Sequence, residues 1–254
     1  MKKLLAIVLG ICMLIPMFTL TSYAASLRSD SSVDIITFGE RVKSLKFTPE
    51  ESGVYRFFTH APSGFLGRII NRLNKRETDP FIEIFDSDGY SVGYADDSYL
   101  YYDEVIEDYY RSSDFDAYVY LEAGETYYID LRDISSKLYY FFNLEFAVPT
   151  FGAFGLSVNY CGKVESIKLA LDTKTVFSVS KGEAYYDEED GYILNIAHVY
   201  FDVVFDSGMR QELDNDRIVG LDWDYYYKKC NLGRNQTTFF CLGEEIPYTF
   251  TIVK

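Results

Sequence analysis

The sequence predicts an all-β protein built as two β-sandwiches in tandem, with a short helix near 65–75. Three observations predict it. Runs of β-branched and aromatic residues with period-two alternation recur along the chain. Asp, Gly and Ser turn signals separate them at roughly 8–12-residue intervals. Helical spacing is rare, which favours packed sheets over alternating helices and strands.

Taken in order, Gly53-Val-Tyr-Arg-Phe-Phe-Thr59 reads as a strand. In Phe65 to Lys75, apolar residues at 65, 66, 69, 70 and 73 have helical spacing, as a short helix or a loop insertion. Pro80-Phe-Ile-Glu-Ile-Phe85 and Tyr90-Ser-Val-Gly-Tyr94 flank Asp86-Ser-Asp-Gly89, a hairpin signal because Gly accepts positive φ. Ala117 to Leu121 leads through Glu122-Ala-Gly-Glu125 into Thr126 to Leu131. Val199 to Phe205 turns at Asp206-Ser-Gly208, and Tyr248 to Val253 closes the chain as a strand. The Pro and glycines of 149–155 break the pattern before a closing strand at Leu156–Tyr160. The expected division is therefore a signal peptide at 1–24, one sandwich at 25–160 and a second at 161–254.

The first segment has the features of an export signal. Lys2 and Lys3 precede the apolar run Leu4–Leu20, and Ser22-Tyr23-Ala24 puts small residues at −3 and −1 of a cleavage site. The alternative is a retained anchor, but the run is near the short limit for crossing about 30 Å of hydrocarbon. Cys12 follows Ile11, not the small residue that a lipoprotein signal needs. The expected product is secreted, extracellular or cell-surface associated, with no membrane span after cleavage.

The formal net charge is −15, from 24 Lys and Arg against 39 Asp and Glu. That balance argues against a nucleic-acid partner, since phosphate binding relies on cations that release counterions. The chain has two histidines, His60 and His198, and shows no nucleophile elbow, no His-Glu-x-x-His and no phosphate loop. No catalytic residue is assigned. A carboxylate-based hydrolase of the glycoside-hydrolase type remains the one enzyme reading, because a carboxylate pair needs no histidine.

Ser52-Gly-Val-Tyr-Arg56, Asp79 to Gly89, Ala95-Asp-Asp97 and Leu121 to Ile129 occur in an order that resembles the bacterial pre-peptidase C-terminal (PPC) domain. That family is a β-sandwich appended to secreted enzymes and surface proteins. The insertions at 61–78 and 98–112 are longer than the resemblance leads one to expect. Val164 to Ile167, Asp190 to Leu194, Val203 to Gly208 and Tyr248 to Val253 resemble a bacterial Ig-like domain. Together the resemblances imply modules that bind, space or present, and imply no catalytic residues.

Two acidic groups are candidates for calcium, the one possible cofactor: Asp86, Asp88, Asp96 and Asp97, and Asp187 to Asp190. Hard cations want several oxygen ligands at about 2.3–2.6 Å. A hairpin either gathers the first group or holds it a strand length apart. The other reading is turn chemistry on a solvated acidic face.

Aromatic residues make up 18% of the chain, many in adjacent pairs. A doublet in a strand sends one ring to the core and one outward, so rings are left for a surface. The segment 99–110, with Tyr99, Tyr101, Tyr102, Tyr109 and Tyr110, is the leading contact loop, and Trp223 with Tyr225 is second. Tyrosine suits such contacts by its apolar body and polar tip. It is also a good strand residue, which is the alternative. Cys230 and Cys241 flank Asn231 to Asn235, which reads as a hairpin turn, so a disulfide between them is expected. The expected function is a non-catalytic binding or adhesion protein whose Tyr-rich loops contact an extracellular protein or glycan. The alternative is a structural or accessory subunit of an extracellular assembly.

Overall fold

The computed structural model describes residues 26–38, 42–74, 78–96, 99–103, 108–112, 114–133, 137–141, 144–148, 151–170, 174–187, 191–194, 199–223 and 230–254. The expected signal peptide, Asp97, His198 and Tyr225 lie outside them. The described residues are mostly strand, as the alternation predicts, and among them no helix is long and apolar enough to cross a membrane.

The first stretch holds β1 (Ser26–Leu27), β2 (Ser31–Phe38), β3 (Lys43–Phe47), β4 (Gly53–His60), the helix α1 (Phe65–Asn74), β5 (Pro80–Phe85) and β6 (Ser91–Ala95). It continues with β7 (Tyr99–Asp103), β8 (Asp108–Ser112), β9 (Asp116–Leu121), β10 (Tyr127–Asp133), β11 (Lys137–Phe141), β12 (Leu144–Val148) and β13 (Phe151–Gly162). One sheet has the order β1-β3-β10-β5-β6 and a second has β2-β13-β4-β9. Their inner faces share one core. Leu45, Phe47, Ile82, Ile84, Ile129 and Leu131 come from the first sheet. Tyr55, Phe57, Val119, Leu156 and Val158 meet them from the second. Phe47 packs edge-on against Tyr55 and Phe57 with ring centroids 5.2 and 5.7 Å apart, joining the layers.

The second stretch holds β14 (Val164–Leu169), β15 (Val176–Ser178), β16 (Ala184–Asp187), β17 (Gly191–Leu194), β18 (Tyr200–Phe205), β19 (Arg210–Asp214) and a 3-10 turn at Asn215–Arg217. It ends with β20 (Asp222–Trp223), β21 (Gly233–Cys241) and β22 (Glu244–Val253). Sheets β14-β18-β19 and β15-β22-β21-β20 enclose another core, where Phe201 meets Phe239 edge-on at 5.6 Å.

The hairpin at 86–89 forms as the sequence predicts. Gly89 sits at φ +84°, and the Asp86 carboxylate Oδ1 accepts from the Asp88 and Tyr90 N–H groups, each at 2.9 Å. Aromatic doublets also divide as alternation requires. Phe57, Tyr127, Phe201 and Phe239 are buried, while their neighbours Phe58, Tyr128, Tyr200 and Phe240 are more exposed. Tyr185 and Tyr186 depart from this, both being exposed.

Two expectations need correction. The break at 149–155 is not one, because β13 is already a strand from Phe151. Its glycines serve close approach: a Cβ at Gly155 would collide with the His60 ring. The second concerns the cysteines. The turn falls at Leu242-Gly243, between β21 and β22, so Gly233 to Cys241 is one continuous strand. At about 3.3 Å per residue that strand alone runs some 26 Å. Cys230 lies just before its start and Cys241 at its end, beyond the roughly 7 Å Cα limit for a disulfide. Cys161, Cys230 and Cys241 are all buried.

Candidate functional site

The Tyr-rich segment is a two-stranded ribbon. Strands β7 and β8 pair antiparallel, with Tyr99 opposite Ser112, Tyr101 opposite Tyr110 and Tyr102 opposite Tyr109. Among the described residues the ribbon pairs with no strand of the four main sheets. It leaves the first sheet after β6 and returns into β9, so five of the candidate tyrosines share one excursion. Trp223 belongs to a different sheet, where β20 pairs it with Phe239.

Of the first acidic group, Asp86 and Asp88 are not gathered with Asp96. Asp86 and Asp88 sit in the β5–β6 turn, and Asp86 is engaged in closing it. Asp96 follows the far end of β6, about 17 Å away at strand rise. Among the described residues no group of three or more His, Cys, Asp or Glu side chains is placed to hold a metal ion.

The structure adds what spacing does not show. The four-stranded sheet ends on β9, and the edge of β9 is covered by the second stretch. Val219 N–H donates to the Tyr118 carbonyl at 2.8 Å, and Ile218 forms a parallel bridge with Tyr118. Covering an edge satisfies backbone groups that would otherwise invite another chain. Beneath lies a buried ionic cluster. Asp116 accepts from Arg56 Nε at 2.6 Å and Nη2 at 3.0 Å, and from Arg217 Nη2 at 2.5 Å. Both guanidinium groups lie over the Tyr118 ring, Arg217 at 5.2 Å and Arg56 at 5.7 Å from its centroid. Burial first, then the adjacent Asp116 charge, raise the Tyr118 phenol far above its ordinary value, so it stays neutral. Beside this junction a cleft of about 500 Å³ runs between β6 and 215–221, lined by Gly93, Tyr94, Asp96, Asn215, Asp216 and Leu221.

His60 closes β4 with its ring laid across β13. Its Nδ1 lies 2.8 Å from the Ala61 carbonyl, to which only an N–H can donate. In the neutral ring Nε2 then accepts from the hydroxyls of Ser32 and Ser157, at 3.1 and 3.0 Å. The arrangement ties β2, β13 and β4 together. At the same end of the sheet the Ser63 and Gly64 amides donate to the Asp34 carboxylate, at 2.9 and 2.5 Å, so these donors serve the fold and not a reacting group.

Rings also meet on the outer face of the five-stranded sheet. Phe81 and Tyr94 stack at 5.7 Å, and the Arg132 guanidinium covers Phe81 at 4.3 Å. Tyr94 and Tyr90 remain largely exposed. The sequence signal for this face was the alternation of β5 and β6, but which strands lie side by side is set by pairing across β10.

No family model matches the chain, and no curated protein matches it. Among solved structures, the pre-peptidase C-terminal domain of a collagenase from Bacillus anthracis is similar at 10% identity. The match has a TM-score of 0.33 and covers 55% of this chain and 97% of that one. At that level of overlap the likeness assigns neither family nor activity.

Proposed function

We propose that the protein is a non-catalytic extracellular binding module that contacts a protein or a glycan through the β7–β8 ribbon. The observation that carries this reading is the ribbon itself: a tyrosine-dense pair of strands held outside every main sheet. Five tyrosines fall within this one pair of strands. The ordering of PPC-like motifs in the first stretch and Ig-like motifs in the second supports a presenting role. The Lys2–Ala24 pattern supports export.

The test is a screen of the chain from Ala25 onward against glycans and extracellular proteins, with calcium and with chelator in parallel. A specific hit that is lost on Tyr101→Ala with Tyr102→Ala supports the reading. A hit indifferent to those changes removes the ribbon from it, and the chelator arm decides whether metal takes part.

A further inference from the structure

The first turn of α1 carries two large apolar side chains, Phe65 and Leu66, that face outward. A helix on a globular protein normally turns its apolar stripe to the core. Here Gly67 and Asn71 are the residues that meet β13. Gly67 is buried, and a Cβ there would meet Pro62 and Ala153, so the glycine permits the close approach. Asn71 donates from Nδ2 to the Ala153 carbonyl at 2.7 Å, and its Oδ1 accepts from the Ala153 N–H at 3.1 Å. The amide thus replaces a strand partner at a point of β13 that β4 does not reach. Asp34 fixes the other end by accepting from the Ser63 and Gly64 amides. These polar bonds hold the helix against β13, and Ile69 and Ile70 are half-buried.

The two large side chains of the first turn are open to solvent. Phe65 is 75% exposed and Leu66 55%, and Ile69 is half-buried one turn after Phe65. Arg68 is exposed beside them. The helix contains Arg68 and Arg72 and no carboxylate, and Lys75 and Arg76 follow in sequence. This is a local excess of positive charge in a chain whose net charge is −15. An apolar stripe flanked by cations matches a bilayer interface, where acyl chains take the rings and anionic headgroups take the cations.

We propose that α1 is a docking element for an anionic lipid surface. Phe65 and Leu66 enter the headgroup–acyl boundary while Arg68 meets lipid phosphate. This role is separate from the ribbon, and either can fail without the other.

The experiment is co-sedimentation of the chain from Ala25 onward with vesicles of phosphatidylglycerol and phosphatidylcholine, or of phosphatidylcholine alone. Binding is expected to the anionic vesicles, weaker in high salt and weaker to the neutral ones. Phe65→Ser with Leu66→Ser is expected to lower partitioning about tenfold or more, since two large apolar groups no longer leave water. Arg68→Glu is expected to weaken binding at low salt alone. Should the double variant misfold, Phe65→Trp gives an independent reading, with a fluorescence blue shift on anionic vesicles as the supporting result. No co-sedimentation at low salt, equal binding of the double variant, or no blue shift overturns the proposal.

Discussion

Asp116 holds two guanidinium groups at once, and neither the acid nor Arg217 is open to water. Taking one side of such a cluster away leaves like charges facing each other in a poorly solvated site. Asp116→Ala is therefore expected to cost about 3–5 kcal/mol, read as a lower denaturant midpoint. A loss below about 1 kcal/mol would mean that the cluster is solvated like a surface pair. None of this was legible in the sequence. Arg56 sits in an alternating strand where a solvent-facing position is the ordinary reading. Its second partner in the cluster, Arg217, comes from the other half of the chain. Residue-scale chemistry also bears on the thiols. Burial pushes Cys161 and Cys241 up to about 12 and raises Cys230 as well, so all three are protonated at neutral pH. A thiol reagent at pH 8 is expected to react slowly with native protein and fully after denaturation. Because the two folded values lie above the ordinary 9.0, their contribution to stability is intact below pH 9. It declines as pH rises from 9 toward 12.

Elements were more legible than their mounting. Alternation located the strands around Gly53, Pro80, Ala117 and Val199, and the Asp-Gly pair located the β5–β6 turn. Helical spacing located α1, but periodicity reports only that an apolar face exists. Which side packs was decided by Gly67 and Asn71, whose role needs β13 alongside. The Cys230–Cys241 expectation failed for a similar reason. Asn231 to Asn235 has turn chemistry, and the Asn235 side chain does bond back to Asn231, yet the chain runs on into β21 instead of reversing. Asn71→Ala is expected to lower stability by about 1–2 kcal/mol through two lost bonds, measured by thermal or denaturant unfolding. Asp34 shows how the helix end responds to acid. Burial raises its pKa, but the Ser63 and Gly64 amides, the Ser63 hydroxyl and the nearby His60 outweigh it. The carboxyl lies below its ordinary 3.8 in the folded protein. Its contribution is thus present above about pH 4 and lost as pH falls below 3.8 through the folded value. Asp34→Asn is expected to flatten that acid limb of a stability–pH profile, and an unchanged limb would contradict the cap.

Among the described residues packed sheets enclose two cores, and the first and second stretches meet at the β9 edge, where Asp116 holds Arg56 and Arg217. Among the described residues the β7–β8 ribbon lies outside the four main sheets, and Phe81 with Tyr94, and Phe65 with Leu66 of α1, face outward. This division between a scaffold and its additions is the basis of the binding reading. It predicts that the ribbon can be removed without harm to the fold, because the strands on either side, β6 and β9, are anchored in different sheets. The direct measurement replaces residues 98–113 with a short Gly-Ser linker, then compares unfolding and ligand binding with those of the parent chain. The expected result is an unfolding midpoint close to the parent's and loss of the bound protein or glycan. Retained binding by the shortened chain would contradict it.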